Sequence, residues 1–177
     1  MNTMSTTMAN ALKSTTGPAA VNIRSFQPGT PADAKAFRSL NEEWITRFFT
    51  MEARDFEILG DPETSILQHG GHIYMAYLGV EAVGCVALES MGRDVYELSK
   101  MAVTPNLRGQ GVGRRLLEYA IEQARALGAK SLWLGSNTKL ENAIHLYESV
   151  GFQHLPPERR PNSQYSRANL FMEKSLG

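Results

Sequence analysis

The chain has 177 residues, 42% hydrophobic and 20% charged, the make-up of an ordinary soluble globular protein with one core. Its 18 lysines and arginines balance 18 aspartates and glutamates, so no global field favours nucleic acid or a membrane surface. A lone Cys85 excludes an intrachain disulfide framework and a cysteine-based zinc cluster. His69, His72, His145 and His154 lack metalloprotease spacing, so no metal is expected, and no apolar run approaches the roughly 20 residues of a membrane span.

Residues 1–19 are rich in Ser, Thr, Met and Ala and end in Gly17-Pro18. They lack the basic start and apolar centre of a secretory signal. A disordered tail is expected there, ahead of a single domain over residues 20–177, with a cytoplasmic location by default. Val21–Phe26 alternates apolar and polar residues and predicts an opening strand. Thr30 then caps a helix that has Pro31 at its first position, Asp33 in its first turn, and Phe37, Leu40, Trp44 and Phe48 at helical spacing. Short helices are expected around Glu52–Leu59 and Pro62–Gln68. Ile73–Leu78 and Ala82–Leu88, joined near Gly79, predict a hairpin, and Val95–Val103 a central strand.

After that strand, Arg108-Gly109-Gln110-Gly111-Val112-Gly113-Arg114 opens a periodic helix whose apolar face carries Val112, Leu116, Leu117, Ala120, Ile121, Ala124 and Leu127. Gly128 stops it. A glycine-rich turn at a helix N-terminus aims several N–H groups at one point and suits a phosphate group. Two common phosphate loops fail on spacing. A P-loop needs Lys and then a hydroxyl after its last glycine, whereas Arg114 and Arg115 stand here. A dinucleotide fingerprint needs a third glycine where this chain has Arg114 or Leu116. Lys130–Leu134 returns as a strand by a right-handed parallel crossover. Thr138 and Glu141 suggest a capping box for a helix over Lys139–Ser149. Gly151-Phe152 and Asn169–Lys174 supply closing strands. The pattern is α+β: a mixed, mostly antiparallel sheet of about seven strands with helices on both faces.

Arg108 to Gly113, as Arg-x-x-Gly-x-Gly, resembles the pyrophosphate loop of the GCN5-related N-acetyltransferases (GNAT), which bind acetyl-coenzyme A. Tyr96–Pro105 before it and Asn142–Phe152 after it resemble the family's other core segments in the family's order. The resemblance spans roughly residues 20–175 and implies the GNAT fold and direct acetyl transfer from acetyl-CoA to an amine in a ternary complex. It implies coenzyme contacts from Met101, Ala102, Val103, Arg108, Gly109, Gln110, Gly111, Val112, Gly113 and Arg114. It also implies a base at Glu97, an acetyl-carbonyl contact from the Met101 N–H, and a thiolate-protonating acid at Tyr147. Where many relatives have an asparagine this chain has Leu140; Asn137 or Asn142 is the expected substitute. Many relatives are dimers, so a homodimer is a further expectation of the resemblance.

Such chemistry has clear demands. A free alkylamine keeps its proton to about pH 10, so a base must remove it. The oxyanion wants a fixed donor and the leaving thiolate a proton source. On residue type alone each candidate has a plainer reading: Glu97 as a solvated strand residue, Met101 and Tyr147 as core, Arg114 and Arg115 as solvated helix residues, and His145 as surface. Glu89 and Glu81 are alternative bases, and Cys85 reads as a buried inert thiol. Trp44, Phe48 and Phe49 could line a cleft or fill the core. For the acceptor, seven acidic residues between Glu42 and Glu63 suggest a cationic small-molecule amine, whereas Arg159 and Arg160 suggest a carboxylate. Acetylation of protein lysines or N-termini, and a non-catalytic acyl-CoA sensor, stay open as alternatives.

Overall fold

The computed structural model describes residues 20–177; the expected N-terminal tail lies outside them. Seven strands form one sheet: β1 (Asn22–Ser25), β2 (His72–Leu78), β3 (Glu81–Ser90), β4 (Val95–Val103), β5 (Ser131–Ser136), β6 (Gln153–His154) and β7 (Leu170–Ser175). Their order is β1-β2-β3-β4-β5-β7-β6. Every neighbouring pair is antiparallel except β4 with β5. The fold is therefore the expected α+β arrangement with a mixed, mostly antiparallel sheet.

Helices cover both faces. α1 (Pro31–Phe48), α2 (Ala53–Gly60) and α3 (Pro62–Ser65) lie on one side, where Phe37, Ile45, Ile58 and Leu59 pack with Ile73, Met75 and Cys85. α4 (Val112–Ala126) and α5 (Glu141–Ser149) lie on the other, where Leu116, Leu117, Ile121 and Tyr147 meet Val86, Leu98 and Leu132. The buried side of α4 is the predicted stripe with one exception. Leu127 is 41% exposed, because the helix ends at Ala126 and Leu127 is already its cap. Gly128, at φ +80°, ends it as expected.

Helix starts depart more from the expectation. Thr30 sits at the N-cap of α1, but its side chain makes no capping bond. Asp33 does not merely face the helix dipole: it is buried, pairs with Arg24 at 2.7 Å, and accepts from the Gln27 N–H and Tyr77. The Thr138–Glu141 capping box does not form. Instead α5 begins at Glu141 with Leu140 as its cap, while the Thr138 N–H donates to Asn169. The third predicted helix is a single α-turn followed by a 3₁₀ turn, Leu67–His69.

Two irregularities in β4 make room for a site. Cys85 pairs with Ala102 but Ala87 pairs with Ser99, so Lys100 and Met101 together oppose Val86 in a β-bulge. Lys100 there has φ +51°, a left-handed conformation rare outside glycine and asparagine. In addition, β4 pairs with β5 only through Val95, Tyr96 and Glu97. Beyond Glu97 the two strands part.

Candidate active site

Between the parted strands lies a cleft of about 930 Å³, lined by Leu98–Val103 of β4, Gly135–Asn137, the glycine turn, and Leu140, Asn142, Leu146 and Tyr147. Trp44, Phe48 and Phe49 of α1 line it too, with ring centroids 6.0–6.5 Å apart. At its mouth Gly109 (φ +76°) and Gly111 (φ +84°) turn the chain into α4. A Cβ at either would meet nothing, but its backbone would be strained, so this turn needs glycine for its shape. The N–H groups of Gly111, Val112, Gly113 and Arg114 have no backbone acceptor among the described residues. With the positive end of a 15-residue helix behind them, they form an anion cradle suited to the diphosphate of a coenzyme.

The loop's side chains play other parts. Arg108 braces the turn, donating to the Val103 carbonyl at 3.1 Å and to Glu43 at 2.6 Å. Arg114 links α4 to Ser149 of α5 at 2.7 Å and lies on the cleft, whereas Arg115 reaches away to the Val21 carbonyl. Val112 is buried, and the Gln110 side chain folds back on Asn106, so only the main chain of these two is available. Asn137 lines the cleft, yet its amide donates to the Arg167 carbonyl and accepts from the Lys139 N–H. Asn142 is exposed on the rim, and His145 lies on the surface. Tyr147 packs on Phe152, and burial raises its phenol to about 12, so it holds its proton at neutral pH.

A second cavity, of about 300 Å³, opens on the face covered by α2 and α3. Arg54, Glu57, Ile66, His69, Glu89, Met91, Trp133 and the 162–165 loop line it. Glu97, Ser163 and Tyr165 border both cavities. Glu97 is half-buried, and its carboxylate accepts no hydrogen bond from the described residues. Burial first, and then the charge of Glu89 opposite it, push its carboxyl up to about 7. A base of that strength at the meeting point of two cavities is suited to proton transfer near neutral pH. Glu81, the other alternative, is exposed at the far end of β3 and borders neither cavity.

Beneath the bulge runs a buried ionic network. Lys100 Nζ donates to Asp55 Oδ1 at 2.7 Å and to the Tyr165 hydroxyl at 2.8 Å. Arg167 grips Asp55 with two bonds of 2.7 and 2.8 Å and reaches Glu52 at 3.1 Å. Burial alone would raise Asp55, but the Arg167 and Lys100 bonds outweigh it and hold the carboxyl at about 2. Burial lowers the Lys100 ammonium while Asp55 opposes that shift. Sequence reading missed this network. Its one local signal was a lysine next to the apolar Met101-Ala102-Val103 end of a central strand. Cys85, by contrast, is the inert thiol expected: fully buried, raised to about 12 by burial, and flanked by Asn41 at 3.3 Å.

Known proteins resemble this chain in sequence and in fold. The Acetyltransferase (GNAT) family profile matches residues 35–152. The chain belongs to that family. An uncharacterized N-acetyltransferase, YjgM, of Escherichia coli K12 is 32% identical over 71% of this chain and 77% of its own. An amino-acid acetyltransferase of Neisseria meningitidis is 31% identical over 84% of this chain but only 32% of its own length. The structure of yncA from Salmonella typhimurium with its cofactor acetyl-CoA superposes with TM-score 0.68 at 21% identity, covering 89% and 95% of the two chains; at that identity the likeness concerns the fold. As a GNAT protein the chain is an acyl-CoA-dependent acetyltransferase, and the cleft with its amide cradle fits the family's acetyl-CoA. No helix among the described residues is long and apolar enough to cross a membrane.

Proposed function

We propose that this acetyltransferase acts on the primary amine of a small molecule, held with acetyl-CoA in one ternary complex. Acetyl-CoA supplies the acyl group and the thiolate that leaves. The main-chain amides of Gly111–Arg114 would hold its diphosphate, and Met101–Val103 its arm, along the open edge of β4. Glu97 takes a proton from the incoming ammonium, so that the nitrogen can form the new C–N bond as the C–S bond breaks; the nitrogen then sheds a second proton, which replaces the one Tyr147 gives to the sulfur. The Met101 N–H, on the bulge, faces the charge that builds on the carbonyl oxygen. Tyr147 holds its proton in readiness for the departing sulfur.

One observation carries this reading: Glu97 borders both the long cleft and the smaller cavity, so a donor in one and an acceptor in the other meet at a single base. The size of the smaller cavity favours a small molecule over a protein substrate. Thiol release from acetyl-CoA, measured against a panel of amines and short peptides, tests it. Glu97→Gln should lower kcat by about 10² or more at pH 8 while leaving acetyl-CoA affinity unchanged. Unchanged turnover in that variant would remove Glu97 from the mechanism.

A further inference from the structure

Resting on that reading, we infer that the acceptor is a compact amine with no carboxylate beside it, a decarboxylated amine and not an amino acid. The pairing register sets Glu89, Glu97 and Trp133 side by side across β3, β4 and β5, all bordering the smaller cavity. Like charges directly opposite in a sheet are unfavourable, so such a pair makes sense where a cation visits. Among the described residues lining this cavity, Arg54 is the one arginine or lysine. It is already engaged, by Glu57 at 3.0 Å and Glu89 at 3.4 Å, with its side chain 25% exposed.

The next cations inward are engaged as well. Lys100 is held by Asp55, and Arg167 by Asp55 and Glu52. Arg54, Lys100 and Arg167 therefore face Glu52, Asp55, Glu57, Glu89 and Glu97, an excess of negative charge. Arg159 and Arg160, the alternative carboxylate binders, are spent on Glu173 and the Leu155 carbonyl and border neither cavity. An amino acid entering amine first would set its carboxylate near Glu89, with no unpaired arginine or lysine among the described lining residues to receive it. An ammonium meets Glu97 and Glu89, and its body lies against Trp133, Ile66 and Met91.

Most of the acidic run between Glu42 and Glu63 is already paired. Glu42 pairs with Arg38, Glu43 with Arg108, and Glu52 and Asp55 with Arg167, while Glu63 accepts from the Gly29 N–H.

Matched pairs differing only by a carboxylate test this: phenethylamine against phenylalanine, tyramine against tyrosine, isoamylamine against leucine. Each pair is scored by kcat/KM in thiol release and by the shift in melting temperature with coenzyme A present. The amine of each pair should exceed its amino acid at least tenfold in kcat/KM and give the larger thermal shift. Glu57→Gln, which leaves Arg54 with Glu89 as its one remaining carboxylate partner among the described residues, should narrow the preference several-fold. Amino acids matching or exceeding their amines in both measurements would overturn the inference. If no member releases thiol although acetyl-CoA stabilises the protein, the catalytic reading fails. The thermal comparison then decides the acceptor class, and amine shifts no larger than those of the acids count against it.

Discussion

At the scale of single residues, Glu97 carries the most consequence. Its carboxyl titrates near 7 instead of the usual 4.5, so the basic form gains population as pH rises through that value. The rate should climb through about pH 7 and then level off, and Glu97→Gln should erase that inflection in kcat/KM. Stability should run the other way. The folded protein binds this proton more tightly than the unfolded chain, so between about pH 4.5 and 7 the linked contribution falls as pH rises. Above pH 7 the glutamine variant should therefore resist urea better, by on the order of 2 kcal/mol, with little gain at pH 4. Tyr147→Phe should lower kcat by about 10- to 100-fold and leave folding intact, because the ring alone packs on Phe152. The proposed roles of Glu97 and Tyr147 come from their immediate neighbours in the sequence, and both residues line the cleft. What raises the Glu97 carboxyl was not legible, since its burial, and after that the approach of Glu89 through strand register, arise only in the folded sheet.

At the scale of elements, the Lys100–Asp55–Arg167 network fastens α2, the β4 bulge and the segment before β7 to one another. Asp55 is fully buried and serves two cations. Asp55→Asn would leave both short of a counter-charge and should cost about 3–5 kcal/mol, read from chemical denaturation. Because the native carboxyl sits at about 2 against an ordinary 3.8, its stabilisation is complete above pH 4 and is lost as pH falls toward 2. An acid titration should show that loss in the parent protein and not in the asparagine variant. The same substitution should lower kcat if the Met101 N–H acts as proposed, since Lys100 holds the bulge on which Met101 sits. Helical spacing gave the bodies of α1, α4 and α5, because periodicity is local. The α5 cap failed because Thr138 lies among the groups that tie β5 to the turn before β7, a contact spanning 31 residues. Nothing near Tyr165 or Arg167 has a period, so a loop that lines both cavities looked like plain connection.

At the scale of the whole molecule, the strand order could be read in part. Hairpins and the βαβ crossover follow from chain order, but the insertion of β7 between β5 and β6 does not. Nor does the parting of β4 and β5, which depends on a bulge no composition announces. That parting divides the sheet into two leaves, β1–β4 and β5–β7, whose strands are stitched at only Val95, Tyr96 and Glu97. A coenzyme seated along the gap would replace the missing stitches with its own amide-to-main-chain bonds, becoming part of the architecture as well as the chemistry. Amide hydrogen exchange should therefore slow along Leu98–Val103 and Gly135–Asn137 when acetyl-CoA is added, and stay unchanged along β1 and β2. Uniform protection, or none in the gap, would contradict it. Seen this way, the protein is a fabric left unfinished along one seam, and each turnover sews the seam and then unpicks it.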